Sequence, residues 1–175
     1  MSHSVVLSRA GIGLKAPLVK VEAHLSTGLP AFSVVGLPES SVRESRERVR
    51  SALICSHFKW PDRRITVSLA PAELPKGGGR FDLPIALAIL VASGQLSAST
   101  VVNREFFGEL GLDGSLRHCR GLLSAVQAAT LDQRAVILPA EQAKKMAVVP
   151  GSRVAAAWDL LSVCGLPKSK NLANV

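Results

Sequence analysis

The run Leu83 to Gly94 (LPIALAILVASG) constrains this chain more than any other segment. It is almost continuously apolar and of helix length, so it reads as a buried helix. Its unbroken part, Leu83 to Ala92, contains Pro84 and is too short to cross a bilayer. Such a helix needs a sizeable core around it. The chain has 175 residues, 47% of them hydrophobic, which suits one folded domain and argues against disorder. Residues 1–10 carry no apolar h-region behind a basic start, so no signal peptide is expected, and a cytoplasmic location is.

Periodicity organises the rest. Val5 to Leu7 and Leu18 to Leu25 alternate with period two and predict half-buried strands; Ala31 to Val35 predicts the next, ended by Gly36-Leu37-Pro38. These three strands are expected to form an antiparallel meander. From Glu39 to Cys55 the period becomes helical, with Ser40 or Ser41 as the cap. Arg63 to Leu69 alternates again. Phe106 to Leu112 reads as a strand closed by the turn signal Asp113-Gly114. Gly121 to Thr130 reads as a helix, Ala135 to Leu138 as a short buried strand and Ala140 to Ala147 as a helix. Val154 to Ala157 gives a last strand and Asp159 to Val163 a last helix. The polar tail from Gly165 to Val175 lacks periodicity and reads as a linker. An antiparallel first half and an α/β second half predict an α+β fold, a sheet covered by helices.

The cysteines (Cys55, Cys119, Cys164) and histidines (His3, His24, His57, His118) are scattered. No metal site is expected, because even the adjacent His118 and Cys119 would point apart. The formal charge of +8 favours a polyanionic partner.

Three segments are candidates for chemistry. The loop Leu74-Pro-Lys-Gly-Gly-Gly-Arg-Phe-Asp82 runs into the apolar helix, and Lys76 and Arg80 would favour an anion there. It lacks the Gly-Lys-Ser/Thr of a P-loop, and Asp82 stands where an N-cap belongs, so a capped turn is the stronger reading. Arg43, Arg46 and Arg50 share one helical face, with Lys59, Arg63 and Arg64 just beyond, a row suited to a phosphate backbone. Glu39, Glu44 and Glu47 lie at ion-pair spacing from Arg43, Arg48 and Arg50, which favours an ordinary solvated face. Phe58-Lys59-Trp60 has the alternation of a base-stacking segment, but with Pro61 following it reads better as two core plugs. No nucleophile motif occurs, and Glu109 with Asp113 reads as a solvated pair.

Several stretches resemble the N-terminal domain of the ComM/YifB family of magnesium-chelatase-like (ChlI-like) AAA+ ATPases. They are Val34-Val-Gly-Leu-Pro-Glu39, Arg43-Glu-Ser-Arg-Glu-Arg-Val49 and Ile65-Thr-Val-Ser-Leu-Ala-Pro-Ala72, followed by Leu74-Pro-Lys-Gly-Gly-Gly-Arg-Phe-Asp-Leu-Pro-Ile-Ala86 and Phe107-Gly-Glu-Leu-Gly-Leu-Asp-Gly-Ser-Leu116. One departure is Arg117-His118-Cys119-Arg120-Gly121, where family members often read Arg-Pro-Val-Arg-Gly.

The resemblance implies a Lon-protease-like fold of the ribosomal protein S5 domain-2 type over residues 1–164, with 165–175 leading toward an AAA+ motor. Full-length ComM members are hexameric DNA helicases that drive branch migration in natural transformation. ATP and Mg are expected only in that motor; no cofactor is expected in this domain. Active Lon domains carry a Ser on a Pro-Lys-Asp-Gly-Pro-Ser loop and a Lys on the helix after a Gly-Glu strand. Matching these onto this chain puts Arg80 or Asp82 at the serine and Leu123 at the lysine, so a Ser-Lys dyad is not expected. The expectation is a non-catalytic domain that contacts DNA or helps a homo-hexamer assemble. The alternative is a protein-docking module without DNA contact. A residual hydrolase or a metal-inserting chelatase part is disfavoured, and no membrane contact is expected.

Overall fold

The structure is a computed structural model and describes residues 2–166, apart from the side chain of Glu39. The strands are β1 (His3–Arg9), β2 (Leu18–Ser26), β3 (Ala31–Val35), β4 (Arg64–Ala70), β5 (Arg104–Phe106), β6 (Glu109–Leu110), β7 (Leu116–Arg117), β8 (Ala135–Pro139) and β9 (Val154–Ala157). The helices are α1 (Glu39–Cys55), α2 (Asp82–Ala92), α3 (Leu122–Leu131), α4 (Ala140–Met146) and α5 (Leu160–Cys164). Seven strands form one mixed sheet in the order β3-β4-β2-β1-β5-β8-β9, and β6 and β7 form a separate hairpin. The architecture is the expected α+β one, a mixed sheet flanked by helices.

The apolar run becomes α2, in which ten of eleven residues are buried. One side packs on β1 and β2 and the other meets α1, so no side is left for water. Each fully buried Leu or Ile contributes about 1.5–3 kcal/mol, which makes α2 the centre of the main core. Pro84 sits in the first helical turn, where no intrahelical N–H bond is lost.

The sheet side of this core is supplied by the predicted alternation. Val19, Val21, Ala23 and Leu25 of β2 and Ile65, Val67 and Leu69 of β4 are all buried. In β8 the two faces divide. Ile137 joins the α2 core, while Val136 and Leu138 join a second cluster with Leu122, Ala125 and Val126 of α3. Helices thus cover both faces at this end of the sheet. That explains why β8 reads as continuously apolar rather than alternating.

Two expectations need correction. β1 and β2 pair antiparallel, but β3 does not continue a meander: it pairs parallel with β4, which inserts between β2 and β3. The helix α1 between β3 and β4 makes this a crossover, and a parallel neighbour is its usual outcome. Phe106 to Leu112 is also not one strand. The chain leaves β5 at Phe107 and Gly108, where Gly108 O accepts from Leu83 N (3.0 Å) and Gly108 N donates to Arg80 O (3.3 Å). That detour staples the glycine loop to the sheet. The Asp113-Gly114 turn does form, with Gly114 at φ 89° and Ser115 N donating to Asp113 Oδ1 at 2.9 Å. The linker expectation for 165–175 lies outside the described residues, except that Gly165 closes α5 and Leu166 packs partly on the main core.

Candidate nucleic-acid interface and glycine-loop cavity

Arg43, Arg46 and Arg50 are exposed on α1, whereas Ser45, Val49, Ala52 and Leu53 of the same helix are buried. Neither Ser40 nor Ser41 caps α1: its N-cap is Pro38, with no side-chain cap. Glu44 lies 3.6 Å from Arg48, as its spacing predicts. Among the described residues no carboxylate lies within ion-pair distance of Arg43, Arg46 or Arg50. The side chain of Glu39 lies outside that description. Arg50 instead sits over the Trp60 ring, 5.9 Å from its centroid, and Trp60 meets Phe32 edge-on at 5.2 Å. Phe58 and Trp60 both pack partly on the core, in keeping with the plug reading. Arg46, Arg50, Trp60 and Phe32 border a cleft of about 300 Å³ that also meets Glu47 and Asp62. Lys59 and Arg64 are exposed and Arg63 is half-buried on the segment that carries Trp60 into β4.

The residue that sequence reasoning missed is Arg48. It falls on the inner stripe of α1 beside Ser45 and Val49, and that position is the signal that could have found it. Its Nε donates to Asp82 Oδ2 at 2.6 Å and its Nη2 to Oδ1 at 3.3 Å. Ser45 Oγ (2.8 Å) and Leu110 N (3.2 Å) also donate to this carboxylate. Asp82 is therefore not the N-cap of α2. Phe81 holds that place, and the Asp82 side chain turns away to bind α1 and β6. The carboxylate raises the Arg48 pKa further above its ordinary value by hydrogen bonding.

Lys76 and Arg80 also differ from expectation, since both are buried. Lys76 Nζ donates to Gly36 O and Leu74 O, both at 3.1 Å, so it ties the loop to the end of β3 rather than facing a partner. Burial lowers its pKa. Arg80 lies over the Phe107 ring, 5.7 Å from the centroid, and its Nε and Nη2 have no hydrogen-bond partner. Burial lowers its pKa too. It borders a cavity of about 600 Å³ with Gly77, Gly78, His118, Arg120 and Gly121. Leu123 is exposed on α3. The positions matched to a protease dyad thus hold a buried arginine, an ion-paired aspartate and a surface leucine.

Cys119 lines the same cavity, and burial pushes its thiol up to about 11; burial pushes the Cys164 thiol up to about 12. Cys55 is exposed. A disulfide reagent at pH 8 is expected to modify Cys55 rapidly, and Cys119 and Cys164 only after denaturant is added, because thiolate and access are both needed. Counting fast-reacting thiols in the native protein checks this; three fast equivalents would contradict it.

Residues 21–142, which carry the glycine loop and the buried helix, match the family described as subunit ChlI of Mg-chelatase, and the chain belongs to that family. Among curated relatives, Competence protein ComM of Haemophilus influenzae is 50% identical over 163 residues, which is 93% of this chain and 32% of that protein. The uncharacterized protein YifB of Escherichia coli is 44% identical over 98% of this chain and 34% of its own length. An uncharacterized protein of Mycobacterium tuberculosis is 41% identical over 79% of this chain and 28% of its own length. The chain thus spans about a third of the length of these relatives. The resemblance read from the motifs is confirmed at the level of the ComM/YifB family. Among the described residues, no helix is long and apolar enough to cross a membrane.

Proposed function

We propose that this domain is a non-catalytic part of a ComM-type DNA helicase and contacts the DNA backbone through the arginine face of α1. The observation that carries the reading is the exposure of Arg43, Arg46 and Arg50 on one face without carboxylate partners among the described residues. Lys59, Arg63 and Arg64 extend the positive surface past Trp60, and the net charge of +8 supports it. In this reading the Lon-like fold persists without its chemistry, because Arg80, Asp82 and Leu123 supply neither hydroxyl nor base. The residues at the start of α2 do not suit Mg-nucleotide either. The loop lacks Lys-Ser/Thr, and the one acid there, Asp82, is held by Arg48. ATP turnover and hexamer formation in this reading belong to the rest of a longer protein.

Fluorescence anisotropy with single-stranded, duplex and forked DNA at two salt concentrations tests this. Binding is expected to weaken steeply with salt, because phosphate contacts release counterions. The combined Arg43→Ala, Arg46→Ala and Arg50→Ala variant is expected to bind roughly tenfold or more weakly and to lower the salt slope by about two to three units. An unchanged slope would clear α1 of the role. No binding at low salt would favour the docking alternative, and oligomer formation by the longer protein with and without residues 1–175 would then decide it.

A further inference from the structure

Arg80 presents a problem that the DNA reading does not solve. It is only 7% exposed, its Nε and Nη2 are out of contact with both solvent and acceptors, and among the described residues no carboxylate forms an ion pair with it. A buried guanidinium in that state is costly unless an anion completes it. Its surroundings keep it in place. The Phe107 ring lies on one side. On another, a Cβ added at Gly11 would fall 2.2 Å from Arg80 Nη1, so any larger residue there must displace the guanidinium.

The cavity beside it is built like an anion site. Gly77 and Gly78 expose backbone along one wall. Gly121 forms another wall at φ 70°, as the N-cap of the ten-residue helix α3, with no side chain capping its first turn. The positive end of α3 therefore opens toward the same space as the guanidinium. Arg120 and His118, both exposed, stand at the rim. Against them stands one carboxylate, Glu109, which lies against Gly79. Two arginines and a helix N-terminus outweigh it. A guanidinium at the cavity wall beside a helix N-terminus suits a tetrahedral oxyanion.

We propose that this cavity is a binding site for a phosphate group, with Arg80 as its central ligand, Arg120 at its mouth and the first turn of α3 as its backbone donor. The site is separate from the arginine face of α1 and does not depend on it. The phosphate is presented either by the end of a nucleic-acid strand or by a small phosphorylated molecule. The chemistry of recognition is the same for both.

Calorimetric titration of the 175-residue chain with inorganic phosphate, at ionic strength held constant with sodium chloride, tests it. Saturable binding and a phosphate-dependent rise in Tm are expected for the wild type. Arg80→Met, Gly11→Ala and Arg120→Ala are each expected to weaken binding roughly ten- to hundredfold. Gly11→Ala keeps every charge and displaces the guanidinium, and Arg120→Ala alters only an exposed side chain, so the test survives if Arg80→Met does not fold. The α1 triple variant is expected to bind phosphate normally, which separates this site from the proposed DNA face. An oligonucleotide with a 5′-phosphate that competes where its 5′-hydroxyl twin does not would assign the site to strand ends. Competition by a nucleoside monophosphate with none from the oligonucleotide would assign it to a small molecule. Absence of saturable phosphate binding, or its retention in both Gly11→Ala and Arg120→Ala, would overturn the proposal.

Discussion

The Asp82→Ala variant is expected to unfold about 3 kcal/mol more easily than the wild type. The carboxylate is 1% exposed and accepts hydrogen bonds from three residues on two elements: Ser45 and Arg48 of α1, and the Leu110 amide of β6. Its removal leaves the Ser45 hydroxyl and the Leu110 amide without that acceptor, and Arg48 without its main counterion. The Arg48 side chain is 20% exposed and can turn toward water, which holds the cost near the lower end for a broken buried pair. Asp82→Asn keeps the shape and part of the acceptor set, so it is expected to cost less. Urea unfolding of both variants and of Arg48→Met, combined in a double-mutant cycle, measures the coupling. A loss below about 1 kcal/mol for Asp82→Ala would show that water replaces the carboxylate. The variant also bears on function, because this bond holds the arginine-bearing helix against the glycine loop.

Arg9→Met is expected to cost still more, about 3–5 kcal/mol. Arg9 is 4% exposed, and its Nε and Nη2 reach Glu105 at 2.5 and 3.1 Å. Nη2 also donates to Asp132 at the end of α3, and Nη1 to Ala16 O. Glu105 is fully buried, and without Arg9 its nearest cation is Arg134 at 3.7 Å. Burial pushes the Glu105 carboxyl up, while Arg9 and Arg134 pull it down. Removing Arg9 therefore leaves the upward push largely unopposed. A carboxyl with a raised folded pKa binds its proton more tightly when folded, so stability is lost as pH rises through that range and regained as pH falls. The stability gap between Arg9→Met and wild type is expected to narrow as pH drops from 7 toward the ordinary glutamate value of about 4.3. Adding Glu105→Leu should recover much of the loss at pH 7, since an apolar pair needs no counterion. A gap that widens on acidification would contradict the account.

Much of the fold was legible because it is written in local periodicity. The limits of α1 and of β3 and β9 follow from where the period changes, and the buried state of α2 follows from a run with no polar face. The candidate site was legible only in part. The row Arg43, Arg46 and Arg50 does share an exposed face, because helical geometry alone decides which residues share a side. The destinations of Arg48, Lys76, Arg80 and Asp82 were not legible. Each is a charged residue in a stretch that reads equally well as a surface, and each is taken inside by a partner distant in sequence or by a cavity wall.

Local sequence specified most of the elements, the central apolar helix, the family and the absence of a P-loop pattern. Tertiary structure alone decided that β4 separates β2 from β3, that Asp82 binds α1 instead of capping α2, and that Arg80 lies buried without a counterion beside a glycine-walled cavity. The physical reason is range. Hydrophobic period and turn chemistry act over a few residues and can be read in order along the chain. Strand pairing and the neutralisation of buried charge depend on groups that meet only once the chain has closed on itself.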